Sequence, residues 1–319
     1  MRRCEIEEIA ACLPKGRTPF YYFKDRYALM LLSMFMDGQT SKADITKTSF
    51  GKLLQKPTVR DAISQIGSGE LSPMVFDAHW PGRHECYLLT LGDWGSARRT
   101  YDQTSRSGYN LVLQLNFSTR HDEVYQQTFR QLTRRPFENQ YHPVHSGGRN
   151  TLAWARLDID LNTGDALIEE IQSDWLRLAQ RARRLAVMGI ANLRHEEGAI
   201  APEDVIAYVD KVLQPHREIW QEAMLAAAIW FLKQELGMER IFYHTFQTGV
   251  VLKKMSRWPP PRSIYTSLPR KFCFQRTRRK PTFLSSRAKS TTSPEHGVRF
   301  EFNVLAQNQT VEPRLTEIH

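Results

Sequence analysis

The spacing of apolar residues along the chain predicts a mixture of strands and helices. In residues 109–117 and 157–161 apolar and polar side chains alternate, which is typical of a strand with one buried face. Further strands are predicted at residues 86–91, 166–172, 240–246, 271–276 and 298–305. The turn Asn162-Thr163-Gly164-Asp165 predicts that residues 157–161 and 166–172 form an antiparallel hairpin. We expect residues 240–246 to join the same sheet.

Longer runs with apolar residues three or four positions apart predict helices. They lie at residues 20–36, 50–54, 59–66, 121–132, 173–188, 202–213, 215–237 and 249–255. The pair at residues 50–54 and 59–66 could form a DNA-reading helix-turn-helix, although two short helices more often simply pack together. The predicted fold class is α/β (α+β), with an N-terminal, mostly helical region followed by a mixed sheet and flanking helices.

Composition predicts three regions. Residues 134–150 are rich in polar residues, proline and glycine, which is typical of a domain boundary. We therefore predict a helical or mixed region at residues 1–135, an α/β domain at residues 150–284 and a loose polar tail at residues 285–319.

The overall composition favours a cytoplasmic protein with an anionic partner. The chain has 319 residues, and its formal net charge is +10 at pH 7. A surplus of this size favours nucleic acid, another polyanion or an acidic partner protein. The four cysteines are scattered, which is typical of free thiols in a reducing compartment. No signal peptide is predicted, and the apolar stretch at residues 223–232 is too short to span a membrane.

The strongest charge feature is a basic segment at residues 251–290. It contains twelve Lys or Arg residues and no Asp or Glu. The candidate nucleic-acid-binding residues are Arg262, Arg270, Lys271, Arg276, Arg278 and Arg279. Trp258, Tyr265, Phe272 and Phe274 lie between the basic residues and could stack on bases. A solvated surface is the alternative, but forty residues without an acid favour a binding surface.

Two glutamates interrupt an apolar predicted strand. Because neighbouring strand residues face opposite sides, either Glu169 or Glu170 should point towards the core. A buried carboxylate needs a partner or a raised pKa, and such groups are common at functional sites. In the alternative interpretation, one glutamate faces solvent and the other pairs with an arginine. Ser173 is a suitable N-cap for the next helix, and helix N-termini bind phosphate.

Histidines supply the remaining candidate chemistry. His244 lies in a strand predicted to run beside the glutamates, where it could act as a base near Glu170, although a lone histidine in a strand is more often structural. We predict that Glu170, Gln172 and His244 share one cleft. His142 and His145 form an HxxH pattern, but no third ligand lies nearby, so no metal site is predicted.

The run IEEIQSDW at residues 168–175, followed by LGMERIFYHTFQTG at residues 236–249, carries a resemblance. It resembles a segment of large polyvalent proteins of phages and mobile elements, and the likeness covers roughly residues 153–274. It implies a phage-defence, conflict or toxin context and brings no assigned reaction.

The order of hairpin, helix, long helix, strand and short helix, followed by YTSLPRKFCF at residues 265–274, resembles the second half of a GNAT acetyltransferase. The likeness implies that acyl-CoA lies between the strands at residues 166–172 and 240–246, with its pyrophosphate on the amides that open the next helix. The implied cofactor-binding residues are Gln172, Ser173, Asp174, Lys253 and Lys254. The family's glycine-rich phosphate turn would fall at residues 172–178, where QSDWLRL contains no glycine.

Three functions are compatible with these features. The first is GNAT-like group transfer, with Glu170, His244 and Glu169 as the catalytic candidates. The second is a catalytically degenerate, basic protein that binds nucleic acid. The third is an ADP-ribosyltransferase, because paired Glu and Gln on a strand, with Thr104, Ser105 and Arg106 upstream, loosely match that group.

Overall fold

The structure is a computed structural model. It describes residues 1–13, 18–36, 38–66, 70–96, 103–132, 136–139, 141–190, 200–256, 259–284 and 300–307. Most of the predicted tail at residues 285–319 lies outside these ranges, as does Trp258.

The described residues form a large mixed sheet and one small separate ladder. Their strands are β1 (Thr18–Tyr22), β2 (Thr40–Ser41), β3 (Glu70–Leu71), β4 (Glu85–Ser96), β5 (Gly108–Asn116), β6 (His145–Ser146), β7 (Arg149–Asp160), β8 (Asp165–Gln172), β9 (Arg240–His244), β10 (Phe274–Thr277) and β11 (Phe302–Leu305). The order across the large sheet is β1-β4-β5-β7-β8-β9-β11-β10, with β6 beside β7, while β2 and β3 pair separately. Among the described ladders of the large sheet, β8–β9 is parallel and the others are antiparallel.

Helices flank the sheet. They are α1 (Arg3–Cys12), α2 (Arg26–Phe35), α3 (Lys42–Thr46), α4 (Pro57–Ser64), α5 (Pro73–Ala78), α6 (Thr119–Thr128), α7 (Asp174–Val187), α8 (Pro202–Ala207), α9 (Gln214–Trp230), α10 (Phe246–Leu252), α11 (Arg262–Tyr265) and α12 (Ser267–Lys271). Gly51–Gln55 and Thr282–Leu284 are 3-10 turns, and Tyr208–Val212 and Phe231–Glu235 are π-helical turns. None of the described helices has the length and apolar character needed to cross a bilayer.

The longest helix, α9, lies in the centre of the core and contains a run of small buried residues. Ala223, Ala226, Ala227 and Ala228 are fully buried, and α9 contacts β7 and β8. Alanine side chains allow the helix backbone to approach the sheet closely. The face of β7 and β8 that α9 covers is therefore buried.

The predicted hairpin and its third strand are confirmed. β7 and β8 pair antiparallel, and β9 lies parallel to β8 in the same sheet. The fold is therefore mixed α/β, with a large mixed sheet and flanking helices.

The N-terminal region differs from the prediction. Residues 18–22 form a strand rather than the start of a helix, because β1 pairs with β4 and buries Phe20 and Tyr22. Residues 51–55 form a 3-10 turn rather than the predicted α-helix, so the alternative of a helix-turn-helix lacks its first helix. The sheet also continues across the predicted domain boundary, since β5 pairs with β7.

Candidate functional site

A β-bulge places both glutamates in one buried polar cluster. Arg156 of β7 pairs with Glu170, and the next residue, Leu157, pairs with Ile168, so Glu169 is an extra residue in β8. A bulge re-aims side chains on the strand that carries it. Both carboxylates are buried, whereas the alternation of a regular strand predicted that one of the two would point towards the core.

Glu169 is held by a serine and a histidine. Its Oε1 accepts a hydrogen bond from the Ser105 backbone amide at 3.0 Å, and its Oε2 accepts one from the Ser105 hydroxyl at 2.7 Å. His244 Nε2 lies 3.0 Å from the same Oε2 and 2.9 Å from Ser105 Oγ. The loop at residues 104–108 thus binds the chain's own Glu169 through the backbone amide and hydroxyl of Ser105.

Glu170 is held by two buried cations. Arg156 donates through Nη2 to Glu170 Oε2 and, at 3.0 Å, to the Gln103 carbonyl. Lys253 Nζ lies 3.4 Å from Glu170 Oε2 and donates to the Tyr265 hydroxyl at 3.1 Å. The ammonium of Lys253, which the GNAT likeness implies as a cofactor-binding residue, is therefore sealed inside the protein.

Lys253 also closes the gap between the two parallel strands. The β8–β9 ladder ends at Ile168 and Tyr243, whereas β8 continues to Gln172. The Glu169 carbonyl lies just beyond the last ladder pair, and Lys253 Nζ donates to it at 3.0 Å. The three N–H groups of the Lys253 ammonium thus meet three acceptors.

The cluster controls the protonation of its members. Burial alone would raise the pKa of Glu169, but the hydrogen bond from His244 and the charges of Lys253 and Arg156 lower it to about 2. For His244, burial outweighs the carboxylate and lowers the pKa below its ordinary value of 6.5. We therefore assign Glu169 as a carboxylate and His244 as a neutral ring that donates through Nε2.

A second polar cluster surrounds Asp174 at the start of α7. Its carboxylate lies 2.8 Å from His142 Nδ1 and accepts from Trp154 Nε1 at 3.1 Å, Arg177 Nη2 at 2.6 Å and Gln172 Nε2 at 2.7 Å. Burial opposes ionisation, but these donors, led by His142, hold the pKa of Asp174 well below its usual range. A carboxylate at this position also satisfies the positive end of the helix dipole.

The predicted site residues are therefore distributed over two clusters. Glu169, Glu170 and His244 belong to the first, whereas Gln172 belongs to the second, so the structure does not bring Glu170, Gln172 and His244 into one cleft. Ser173 is the predicted N-cap and accepts from the Leu176 amide at 3.2 Å.

The upstream residues compared with ADP-ribosyltransferases have structural partners. Arg106 makes two hydrogen bonds to buried Asp158, at 2.6 and 2.7 Å. Thr104 donates to the Arg106 carbonyl at 2.7 Å, and Ser105 is fully buried against Glu169. These contacts leave none of the three side chains in an open site.

The basic segment is divided between paired and unpaired cations. Lys271 pairs with Glu222 at 2.9 Å, and Arg276 pairs with Glu301 at 3.0 Å. The exposed cations for which no described carboxylate forms an ion pair are Lys254, Arg262, Arg270, Arg278 and Arg279. The predicted stacking surface is wrong for Tyr265, Phe272 and Phe274, which are buried in the core.

Sequence reasoning missed Arg156 and the role of His142. Arg156 stands in the otherwise apolar run TLAWAR of β7, and a charge in such a run indicates a buried partner. His142 was considered only as a metal ligand. Its partner Asp174 is distant in sequence, and no group of residues suited to a metal ion occurs in the described part of the chain.

The residues do not fit acyl-CoA. A pyrophosphate at the N-terminus of α7 would meet the ionised Asp174, whose charge already occupies that position. The backbone carbonyl beyond the β8–β9 ladder is bonded to Lys253 rather than left for a ligand. Like charges and filled hydrogen bonds both disfavour this cofactor.

Comparisons with known proteins give no match: no family model, no curated protein and no solved structure is similar to this chain. The interpretation of the site therefore depends on its own geometry.

Proposed function

We propose that the chain is a basic protein that binds double-stranded nucleic acid through its phosphates and does not transfer acyl groups. The observation that carries the proposal is the group of exposed arginines on adjacent elements: Arg262 on α11, Arg270 on α12, and Arg278 and Arg279 just after β10. No described carboxylate pairs with any of them. Unpaired guanidiniums of this kind release counterions when they meet phosphate.

The state of the candidate catalytic groups supports a binding function. A general base must reach the proton that it abstracts. Glu169 and His244 are fully buried, and Glu170 is tied to Arg156 and Lys253. In the described part of the chain, these side chains are held by buried partners.

The architecture is proposed to be GNAT-like but used for a different purpose. The parallel β8–β9 pair within an otherwise antiparallel sheet, and the end of its ladder before β8 ends, support this likeness. The filled gap and the acidic helix start explain why the likeness does not extend to the cofactor.

The burial of the three described aromatic residues of the basic segment favours a duplex over a single strand. Single-strand binding proteins stack bases on exposed rings, whereas Tyr265, Phe272 and Phe274 are at most 6% exposed. Contacts from arginine to phosphate need no stacking and carry no sequence information. We therefore expect weak dependence on sequence and strong dependence on salt.

The test measures binding of a fluorescent DNA duplex by anisotropy at several salt concentrations. With four arginines on phosphates, log K should fall with log salt at a slope of about −3.6. The variant with Arg262, Arg270, Arg278 and Arg279 all changed to Gln should lose most of the affinity and most of the slope.

A matched control distinguishes the loss of the proposed binding surface from an equal loss of net charge elsewhere on the protein. Changing four other exposed arginines to Gln lowers the formal net charge equally, from +10 to +6 (10 − 4 = 6). These are Arg60, Arg120, Arg130 and Arg181. The control should bind almost like wild type; equal losses in both variants would contradict the proposed surface.

Group transfer remains the second candidate function, favoured by one observation. His142 is a quarter exposed, its Nδ1 is oriented by buried Asp174, and no described group lies within hydrogen-bond distance of its Nε2. An imidazole held in this way can act as a base. A rise in melting temperature on adding acetyl-CoA would favour this candidate, and the absence of a rise would favour the binding protein.

A further inference from the structure

A cavity separate from both polar clusters lies between β1, α2, α5 and the end of α9. Its volume is about 540 Å³, within the range of about 300–1,000 Å³ typical of small-molecule sites. Six of its fifteen lining residues are aromatic, namely Phe20, Tyr21, Phe23, Phe76, Trp80 and Trp230.

One cationic side chain, that of Arg26, lies among these aromatic residues. The Arg26 guanidinium lies 4.7 Å from the centre of the Trp80 ring and 5.2 Å from that of Phe20. Its Nη1 is buried without a hydrogen-bond partner. A buried donor left unpaired is costly, and more so when it is charged.

The neighbouring carboxylates do not neutralise Arg26. Asp25 pairs with Lys56 at 3.0 Å, and Glu222 pairs with Lys271. Asp77 lines the rim of the cavity, but its exposed carboxylate is not within ion-pair distance of the guanidinium. Among the described residues, Arg26 therefore has aromatic neighbours and no ion-pair partner, and the charge of Asp77 acts on it only from a longer distance.

We infer that this cavity binds a small planar aromatic anion, with the ring against Trp80 and Phe20 and a carboxylate, sulfonate or phosphate group on Arg26. The aromatic walls supply apolar contact, and Arg26 selects for negative charge and against cations. Trp80 and Tyr21 are 45% and 41% exposed, so the wall is accessible from solvent. The inference is independent of nucleic-acid binding, which uses residues on other elements.

The test uses two probes that share their ring systems. Anilinonaphthalene sulfonate carries a negative charge, and phenylnaphthylamine is the same molecule without the sulfonate. Each is titrated into the full chain and followed by its own fluorescence and by quenching of Trp80 and Trp230, which line the cavity. The anionic probe should bind at least tenfold more tightly.

Two variants test whether Arg26 causes the preference for the anionic probe. Arg26→Gln should weaken the anionic probe about tenfold and leave the neutral probe unchanged, since only a charge-assisted contact is removed. The matched control Arg83→Gln alters an exposed arginine that does not line this cavity and should change neither affinity. Equal binding of the two probes by wild type, or an unchanged preference in Arg26→Gln, would overturn the inference.

A second variant covers the case in which Arg26→Gln unfolds. Trp80→Ala removes a half-exposed wall and keeps the guanidinium, so it should weaken both probes severalfold while the charge preference persists. If Trp80→Ala binds both probes like wild type, the aromatic anion does not occupy this cavity.

Discussion

At the scale of single residues, the central feature is a balanced set of buried charges. The carboxylates of Glu169 and Glu170 are matched by Arg156 and Lys253, while His244 is neutral. Buried ions are tolerated when they are paired and when their remaining donors and acceptors are satisfied. Removing any one member leaves an opposite charge without a partner in a medium of low polarity.

Glu170→Gln should therefore unfold the protein more easily rather than test catalysis. The substitution keeps the shape but leaves Arg156 and Lys253 facing an uncharged amide, which we expect to cost about 3–5 kcal/mol of unfolding free energy. Urea denaturation followed by circular dichroism measures the loss.

Two further variants are compared with Glu170→Gln in the same stability measurement. The exposed Glu123→Gln should change stability by less than about 0.5 kcal/mol. Adding Lys253→Met to Glu170→Gln removes one unmatched charge and should recover part of the loss. A Glu170→Gln variant as stable as wild type would show that the cluster is not an ionic network.

At the scale of secondary-structure elements, sequence periodicity predicted strands β7, β8 and β9 and missed the β-bulge at Glu169. The β7–β8 hairpin and β9 follow from alternation and from the turn at residues 162–165. The bulge at Glu169 could not be located from the sequence, because two adjacent glutamates are also compatible with a regular strand that faces one of them to each side. Pairings between distant residues, such as Asp174 with His142, cannot be read from local spacing either.

The close approach of α9 to the sheet gives a prediction for the helix. Ala227 has no exposed surface, and α9 packs on β7 and β8. Ala227→Leu should destabilise the fold by about 1–3 kcal/mol, because the extra carbons must displace packed neighbours. Thermal and urea unfolding measure this loss. Ala10→Leu, on the exposed side of α1, is the control and should stay within about 0.5 kcal/mol of wild type.

At the scale of the whole molecule, buried titrating groups make stability depend on pH. Burial lowers the pKa of His216 from 6.5 to about 3, and the pKa of Glu169 falls from 4.5 to about 2. In both cases the unfolded chain binds the proton more readily, so acid favours unfolding. Stability should fall from near pH 6.5 downwards through His216, and from about pH 4.5 to pH 2 through Glu169.

Unfolding free energies measured at a series of pH values test this dependence. His216→Gln should reduce the slope between about pH 6 and pH 4 by roughly 1.4 kcal/mol per pH unit, the value for one proton. His84→Gln, which alters an exposed ring, should keep the wild-type slope. A wild-type stability that is constant between pH 7 and about pH 4 would contradict the assignment.

The wide sequence separation within the polar cluster has a consequence for the order of folding. Ser105 and His244 are 139 residues apart, and Lys253 and Glu170 are 83 residues apart. Because such contacts form only after long loops have closed, we expect the cluster to form late in folding. A strand docked one residue out of register would bury one of these charges without its partner. The energetic cost of that charge disfavours the wrong register late in folding. The loss in Glu170→Gln should accordingly appear as faster unfolding with little change in the refolding rate, as stopped-flow kinetics would measure.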